Sequence, residues 1–113
     1  MTDFVHLHCH SEYSLLDGMS TPDDIAKISS TNGQYASAIT DHGTMGGVLK
    51  FQDSCDKYNV KPIFGVEAYF VPEVKSDSSS RGERFHLILL AKNNEGLQKL
   101  FRASQVGWTD NFY

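Results

Sequence analysis

The residues best suited to chemistry in this chain are His6, His8 and His10, which alternate along the apolar run FVHLHCH at residues 4–10. Alternate side chains of a β-strand share one face, so the three imidazoles are predicted to point the same way. The chain has five histidines, and three of them fall in this run. Because imidazole is the commonest protein ligand for transition metals, the run predicts half of a metal site.

Further candidate ligands follow two later predicted strands. Asp41 and His42 come directly after the strand predicted over residues 35–40, and Glu67 lies late in the strand predicted over residues 62–71. In parallel α/β folds, polar side chains converge at the carboxyl ends of the strands. We therefore expect these three residues to lie near the histidine pair at the end of the first strand.

Each candidate also has a purely structural interpretation. A lone strand histidine such as His6 is usually a hydrogen-bonded core or surface residue, whereas two imidazoles on one face favour a cation. Asp41 could cap the next helix, Asp17 in the sequence LLDG could be a turn residue, and His86 could be a hydrogen-bonded core histidine. Glu67 is harder to explain structurally, since a carboxylate in an apolar strand is costly unless paired or coordinated.

The order of predicted elements, β-α-β-α-β-β-α, is typical of an α/β protein with right-handed crossovers between its first three strands. Strands are predicted over residues 3–9, 35–40, 62–71 and 85–91. Helices are predicted from the capping signal STPDD at 20–24 to Asn32-Gly33, from Met45 to Tyr58, and from near Asn93 onwards. The polar stretch over residues 73–83 is predicted to be a loop.

Composition limits the classes of function. The chain has 113 residues, enough for one small domain or a portion of a larger one, with 40% hydrophobic and 21% charged residues. Its formal net charge is −4, and no basic cluster is present. Because phosphate-backbone binding normally needs concentrated Lys and Arg, we expect any contact with DNA to be indirect.

The sequence also indicates the cellular location of the chain and the role of its cysteines. The N-terminal residues lead straight into the predicted strand without the pattern of a signal peptide, and no apolar segment has the length of a membrane span. We therefore predict a cytoplasmic chain without a membrane contact. Cys9 and Cys55 have no CxxC spacing, and Cys9 is predicted to be a small buried residue on the strand face opposite the histidines.

Four segments resemble, in the correct order, motifs of the PHP domain (polymerase and histidinol phosphatase). The resemblance is to the form found at the N-terminus of the bacterial DNA polymerase III alpha subunit, and it covers all 113 residues. The segments are FVHLHCHSEYSLLDG (4–18), AITDHG (38–43), KPIFGVEAY (61–69) and FHLILLAKN (85–93). This resemblance implies the first half of a TIM-like (β/α) barrel, with residues 1–113 forming an N-terminal portion of the PHP domain.

The resemblance also implies a cluster of up to three divalent metal ions that hydrolyses phosphoesters, similar in some polymerases to a 3′–5′ exonuclease. A site of histidines and carboxylates suits Zn, Mn or Fe. The implied ligands are His8 and His10 for one metal, Glu67 as a bridge to a second, His86 for that second metal, and Asp17 with His42 for a third. Within this set, His8, His10, His42 and Glu67 are implied to be catalytic. His6 and Asp41 would orient ligands from behind.

Two functions remain open at this point. The family's later His or Cys ligand and its closing Asp-x-His motif have no counterpart in the chain, so every implied metal lacks at least one ligand. The chain could be a metal-dependent phosphoesterase, or an inactive structural module of a split or truncated polymerase alpha subunit. The expected partners are then the remainder of that subunit, a replicase, or a second copy that pairs with an open sheet edge.

Overall fold

Three strands and three helices form the part of the chain that the computed structural model describes, residues 2–72 and 84–109. In chain order they are α1 (Pro22–Thr31), β1 (Ala36–Ile39), α2 (Val48–Tyr58), β2 (Lys61–Phe70), β3 (Phe85–Leu90) and α3 (Asn94–Thr109). β1 and β2 are parallel, and β3 pairs antiparallel with the other side of β2. This is the predicted α/β architecture, a partial barrel with a parallel strand pair and flanking helices. The loop predicted over residues 73–83 lies outside the described residues.

The prediction of a strand over residues 3–9 is wrong, because this segment does not form a regular ladder. The Ala38 N–H donates to the His6 carbonyl at 3.1 Å, and the Thr40 N–H donates to the Cys9 carbonyl at 2.8 Å. Between these two bonds the N-terminal segment advances by three residues, whereas the segment that contains β1 advances by only two. An extra residue of this kind interrupts strand pairing as a bulge does. The segment still runs beside β1, which brings its histidines to the sheet.

Local signals account for both ends of α1. The Thr21 hydroxyl accepts a hydrogen bond from the Asp24 N–H, and the Asp24 carboxylate accepts one from the Thr21 N–H, each at 3.0 Å. This capping box satisfies backbone groups that the first turn leaves unpaired. The helix ends at Thr31 with Asn32 as its C-cap, and Gly33 follows with a φ of 72°. The predicted start and end of this helix are therefore confirmed.

The core lies between α1, α2 and the parallel strand pair. Its buried members are Ile25, Ala26, Ile39, Met45, Val48, Phe51, Cys55, Val60 and Val66. α2 supplies Val48, Phe51 and Cys55 of this set, and Cys9 is partly buried against the core. In β2 only Gly65, Val66 and Glu67 are buried, and the residues at both ends of the strand are exposed. None of the described helices is long and apolar enough to cross a membrane.

Candidate metal centre

Three histidines converge on the carboxylate of Glu67, which is only 3% exposed. Its Oε2 lies 3.3 Å from His8 Nε2 and 2.5 Å from His10 Nε2, and its Oε1 lies 3.0 Å from His86 Nδ1. Burial acts to raise the pKa of Glu67, but the hydrogen bonds and charges of His8 and His10 outweigh it and hold the pKa below its usual value. Both carboxylate oxygens are therefore available as ionised ligand atoms.

A second carboxylate, Asp17, approaches His10 and His42 from the loop that follows the N-terminal histidines. Its Oδ2 lies 2.6 Å from His10 Nδ1 and 3.6 Å from His42 Nδ1. A hydrogen bond from Ser14 is the main cause that lowers the pKa of Asp17, and the two histidines add to it against the opposing effect of burial. The His10 ring consequently lies between two ionised carboxylates.

Strand pairing between β1 and β2 continues past the end of β1 and positions His42. The Glu67 N–H donates to the Asp41 carbonyl at 3.0 Å, and the Gly43 N–H donates to the Glu67 carbonyl at 2.9 Å. His42 and Glu67 form an isolated parallel bridge between these two bonds. Parallel pairing at the carboxyl ends of the strands therefore brings the two together, as the sequence predicted.

The antiparallel pairing of β3 explains why His86 reaches the centre from the beginning of its strand. His86 stands opposite Tyr69, near the carboxyl end of β2. Its ring centroid lies 5.0 Å from that of His42 and 5.1 Å from that of Tyr69. In an antiparallel pair the start of one strand lies beside the end of the other, so His86 joins the same edge of the sheet.

Asp41 and His6, the two residues expected to orient ligands, differ in burial and in contacts. Asp41 is 1% exposed, and its carboxylate accepts from the Ser11 N–H at 2.5 Å and from the Ser11 hydroxyl at 2.7 Å. It thereby fixes the backbone directly after His10. His6 is exposed, and its ring packs edge-on against Phe4 with centroids 4.7 Å apart. An orienting role for His6 stays a prediction.

Sequence reasoning missed the supporting role of Ser14. Ser14 is 2% exposed, and its hydroxyl donates to Asp17 Oδ2 and accepts from the His42 N–H, both at 3.0 Å. One side chain therefore links the loop ligand to the ligand after β1. The spacing Ser14-x-x-Asp17, which resembles a capping motif, was the available signal.

The arrangement fits a metal cluster. Among the described residues, two groups of three side chains have ligand atoms within 4.8 Å of one another, and Glu67 belongs to both. We call them the first group (His8, His10 and Glu67) and the second group (Asp17, His42 and Glu67). The Nε2 atom of His42 is buried and has no hydrogen-bond partner among residues 2–72 and 84–109. A buried imidazole nitrogen without a partner is costly unless an ion or water fills that role, and these N and O donors suit Zn, Mn or Fe.

Solved structures of two other proteins have a fold similar to that of this chain. One, from Bifidobacterium adolescentis, is assigned as a metal-dependent phosphoesterase; it is 18% identical, with a TM-score of 0.63, over 89% of this chain and 33% of its own. Another is an amidohydrolase from Chromobacterium violaceum with bound sulfate and no metal, at 22% identity and a TM-score of 0.62, over 93% of this chain and 37% of its own. At these identities the likeness shows the fold alone.

Curated relatives share more sequence. The DNA polymerase III alpha subunit of Treponema pallidum is 44% identical over 97% of this chain, and that of Deinococcus radiodurans is 45% identical over 97%. The matched region is 10% and 9% of these relatives, so the chain spans about a tenth of their length. The family model described as the PHP domain matches residues 6–113. From this match, and from the relatives that share its sequence, the chain belongs to the PHP domain family.

Proposed function

We propose that this chain is a metal-binding portion of the PHP domain of a DNA polymerase III alpha subunit, with a phosphoesterase site related to 3′–5′ exonucleases. The observation that carries the proposal is Glu67, a buried carboxylate shared by two groups of candidate ligands. Clustered divalent ions polarise a phosphoryl oxygen and lower the pKa of bound water. A DNA 3′ end or a smaller phosphate ester is the proposed substrate class, and the cytoplasm is the proposed location.

Different residues of the chain would hold different ions of the proposed cluster. The first group would hold one divalent ion, and the second group would hold another, with Zn, Mn or Fe as the candidates. His86, near Glu67 Oε1, is proposed as a ligand that extends the cluster towards the family's complement of up to three ions. Glu67 suits the bridging position because its lowered pKa favours the ionised carboxylate.

A phosphoesterase assay tests this function. The purified chain is supplied with Mn²⁺ or Zn²⁺, and release of product is followed from bis-p-nitrophenyl phosphate and from a single-stranded oligonucleotide with a free 3′ end. We expect metal-dependent hydrolysis that Glu67→Gln abolishes, because the neutral amide cannot bridge two cations. Glu12→Gln, the same change at an exposed position, should keep the activity. No metal-dependent hydrolysis, or equal activity of both variants, would contradict the proposal.

A second candidate function, that of an inactive interaction module, is favoured by the state of β3. Among the described residues β3 pairs only with β2, and its sequence FHLILL contains no charged residue or proline. Phe85 and Leu87 are 51% and 44% exposed on it. An open, apolar edge strand is a template for pairing with another chain. The proposed partner is the remainder of a polymerase alpha subunit or replicase, or a second copy of this chain.

A further inference from the structure

A hydrogen bond joins the end of α3 to the loop that carries His42. Trp108 is the only tryptophan in the chain, and its indole Nε1–H donates to the carbonyl oxygen of Gly43 at 2.7 Å, across 65 positions of sequence. No residue of α3, all of which is described, is buried. Leu97 and Leu100 of α3 are partly buried against the core, and the Trp108 bond adds a specific link between the end of α3 and the loop that carries His42.

Gly43 is held from two sides by this bond and by β2. Its N–H donates to the Glu67 carbonyl at 2.9 Å, while its carbonyl accepts from Trp108. Its φ of 69° lies in the left-handed region, which glycine adopts readily but also leaves readily. These two hydrogen bonds restrain Gly43 and so fix the backbone directly after His42.

His42 is the ligand whose position depends most on that backbone. Its Nδ1 lies 3.6 Å from Asp17 Oδ2, a longer approach than the 2.5 Å of His10 to Glu67. Its Nε2 has no hydrogen-bond partner within the described part of the chain to hold the ring. The orientation of the imidazole is therefore set mainly by its backbone and by the rings of Tyr69 and His86 packed against it.

We propose that Trp108 is a positioning residue for the second group: it holds Gly43, and through it His42, and so raises that group's affinity for a divalent cation. The inference rests on the proposed function and deepens it. Outer residues that orient a metal ligand typically change affinity by about 10–100-fold when they are replaced. The first group has no member next to Gly43 apart from the shared Glu67, so its affinity should change little.

Calorimetric titration with Zn²⁺ in two backgrounds tests the proposal. His8→Ala/His10→Ala leaves the second group, and His42→Ala leaves the first. Trp108→Phe keeps an aromatic ring but removes the indole N–H, and we expect it to weaken Zn²⁺ binding about tenfold in the first background only. Phe101→Leu, at another exposed aromatic residue of α3, serves as the matched control and should change neither.

The outcomes separate this inference from the function on which it rests. An equal loss in both backgrounds, or no loss in either, would overturn the role of Trp108. If neither background binds Zn²⁺ even with Trp108 present, the proposed metal function fails. In that case, amide hydrogen exchange of Gly43 in the metal-free protein tests whether Trp108 positions this residue. We expect faster exchange at Gly43 in Trp108→Phe than in Phe101→Leu, with unchanged exchange in α1; identical rates at Gly43 would refute it.

Discussion

The carboxylate of Glu67 is buried and yet ionised, so two opposing effects act on its pKa. Desolvation acts against the charged form, and the histidines around it act in its favour. His8, His10 and Glu67 were predictable from sequence, since the histidines alternate in one apolar run and a buried carboxylate needs a partner. The role of Ser14 was harder to predict, because its spacing from Asp17 does not reveal that its hydroxyl also accepts from the His42 N–H.

Ser14→Ala should destabilise the protein by about 1–3 kcal/mol, the usual cost of leaving a buried polar group unsatisfied. It removes the acceptor of the His42 N–H and the donor to Asp17. The pKa of Asp17 should also rise, since the Ser14 hydrogen bond is the main cause that lowers it. Urea unfolding measures the first effect, with Ser30→Ala on the exposed side of α1 as the control. Equal stability of the two variants would show that Ser14 is not a structural link.

Among the elements, α1 and α2 were the most predictable, because capping residues and apolar spacing act within one or two turns of helix. The N-terminal segment was mispredicted as a strand, since pairing depends on register with a distant partner that its alternation does not reveal. The direction of β3 was also beyond sequence reasoning. Only the antiparallel pairing explains how His86 reaches the site from the start of its strand.

Thr21→Ala should cost about 1 kcal/mol of stability near neutral pH, because it removes the side-chain half of the capping box of α1. Thr31→Ala, at the last residue of the same helix, removes only an exposed bond to the Lys27 carbonyl and should cost less. Urea unfolding of both variants beside the unchanged protein gives the comparison. A larger loss at Thr31 would show that the box does not stabilise the helix.

The effect of Thr21→Ala should also depend on pH. The Thr21 side chain, and next its backbone N–H, lower the pKa of Asp24 in the folded state. A carboxyl whose pKa falls on folding stabilises the protein above its unfolded pKa, and this stabilisation disappears as pH drops through the folded pKa. The difference between the two proteins should therefore shrink below about pH 4. A difference that stays constant or grows on acidification would contradict the contribution of Asp24.

Buried residues are unevenly distributed over the described part of the chain. The core lies between α1, α2 and the parallel strand pair, whereas β3 and α3 contain no buried residue. The sequence predicted an open edge from its resemblance to half of a barrel. It could not predict which strand would form that edge, since this depends on the pairing order of the sheet.

Leu87→Lys should suppress self-association through β3, because a lysine on an open edge strand opposes pairing with a second chain. Light scattering across a range of protein concentrations measures the effect. Leu49→Lys, the same change at an exposed position of α2, should leave association unchanged. If the unchanged protein is monomeric throughout, or if both variants behave alike, self-association through this edge is excluded.

Metal content per chain is the measurement on which the proposed function depends most. The protein is purified without chelator or affinity-tag metal and analysed by mass spectrometry of its elements, beside His8→Ala/His10→Ala and the Glu12→Gln control. We predict at least one equivalent of Zn, Mn or Fe in the unchanged protein and the control, and a clear loss in the double variant. A content near zero in the unchanged protein, or equal content in the double variant, would contradict the metal centre built around Glu67.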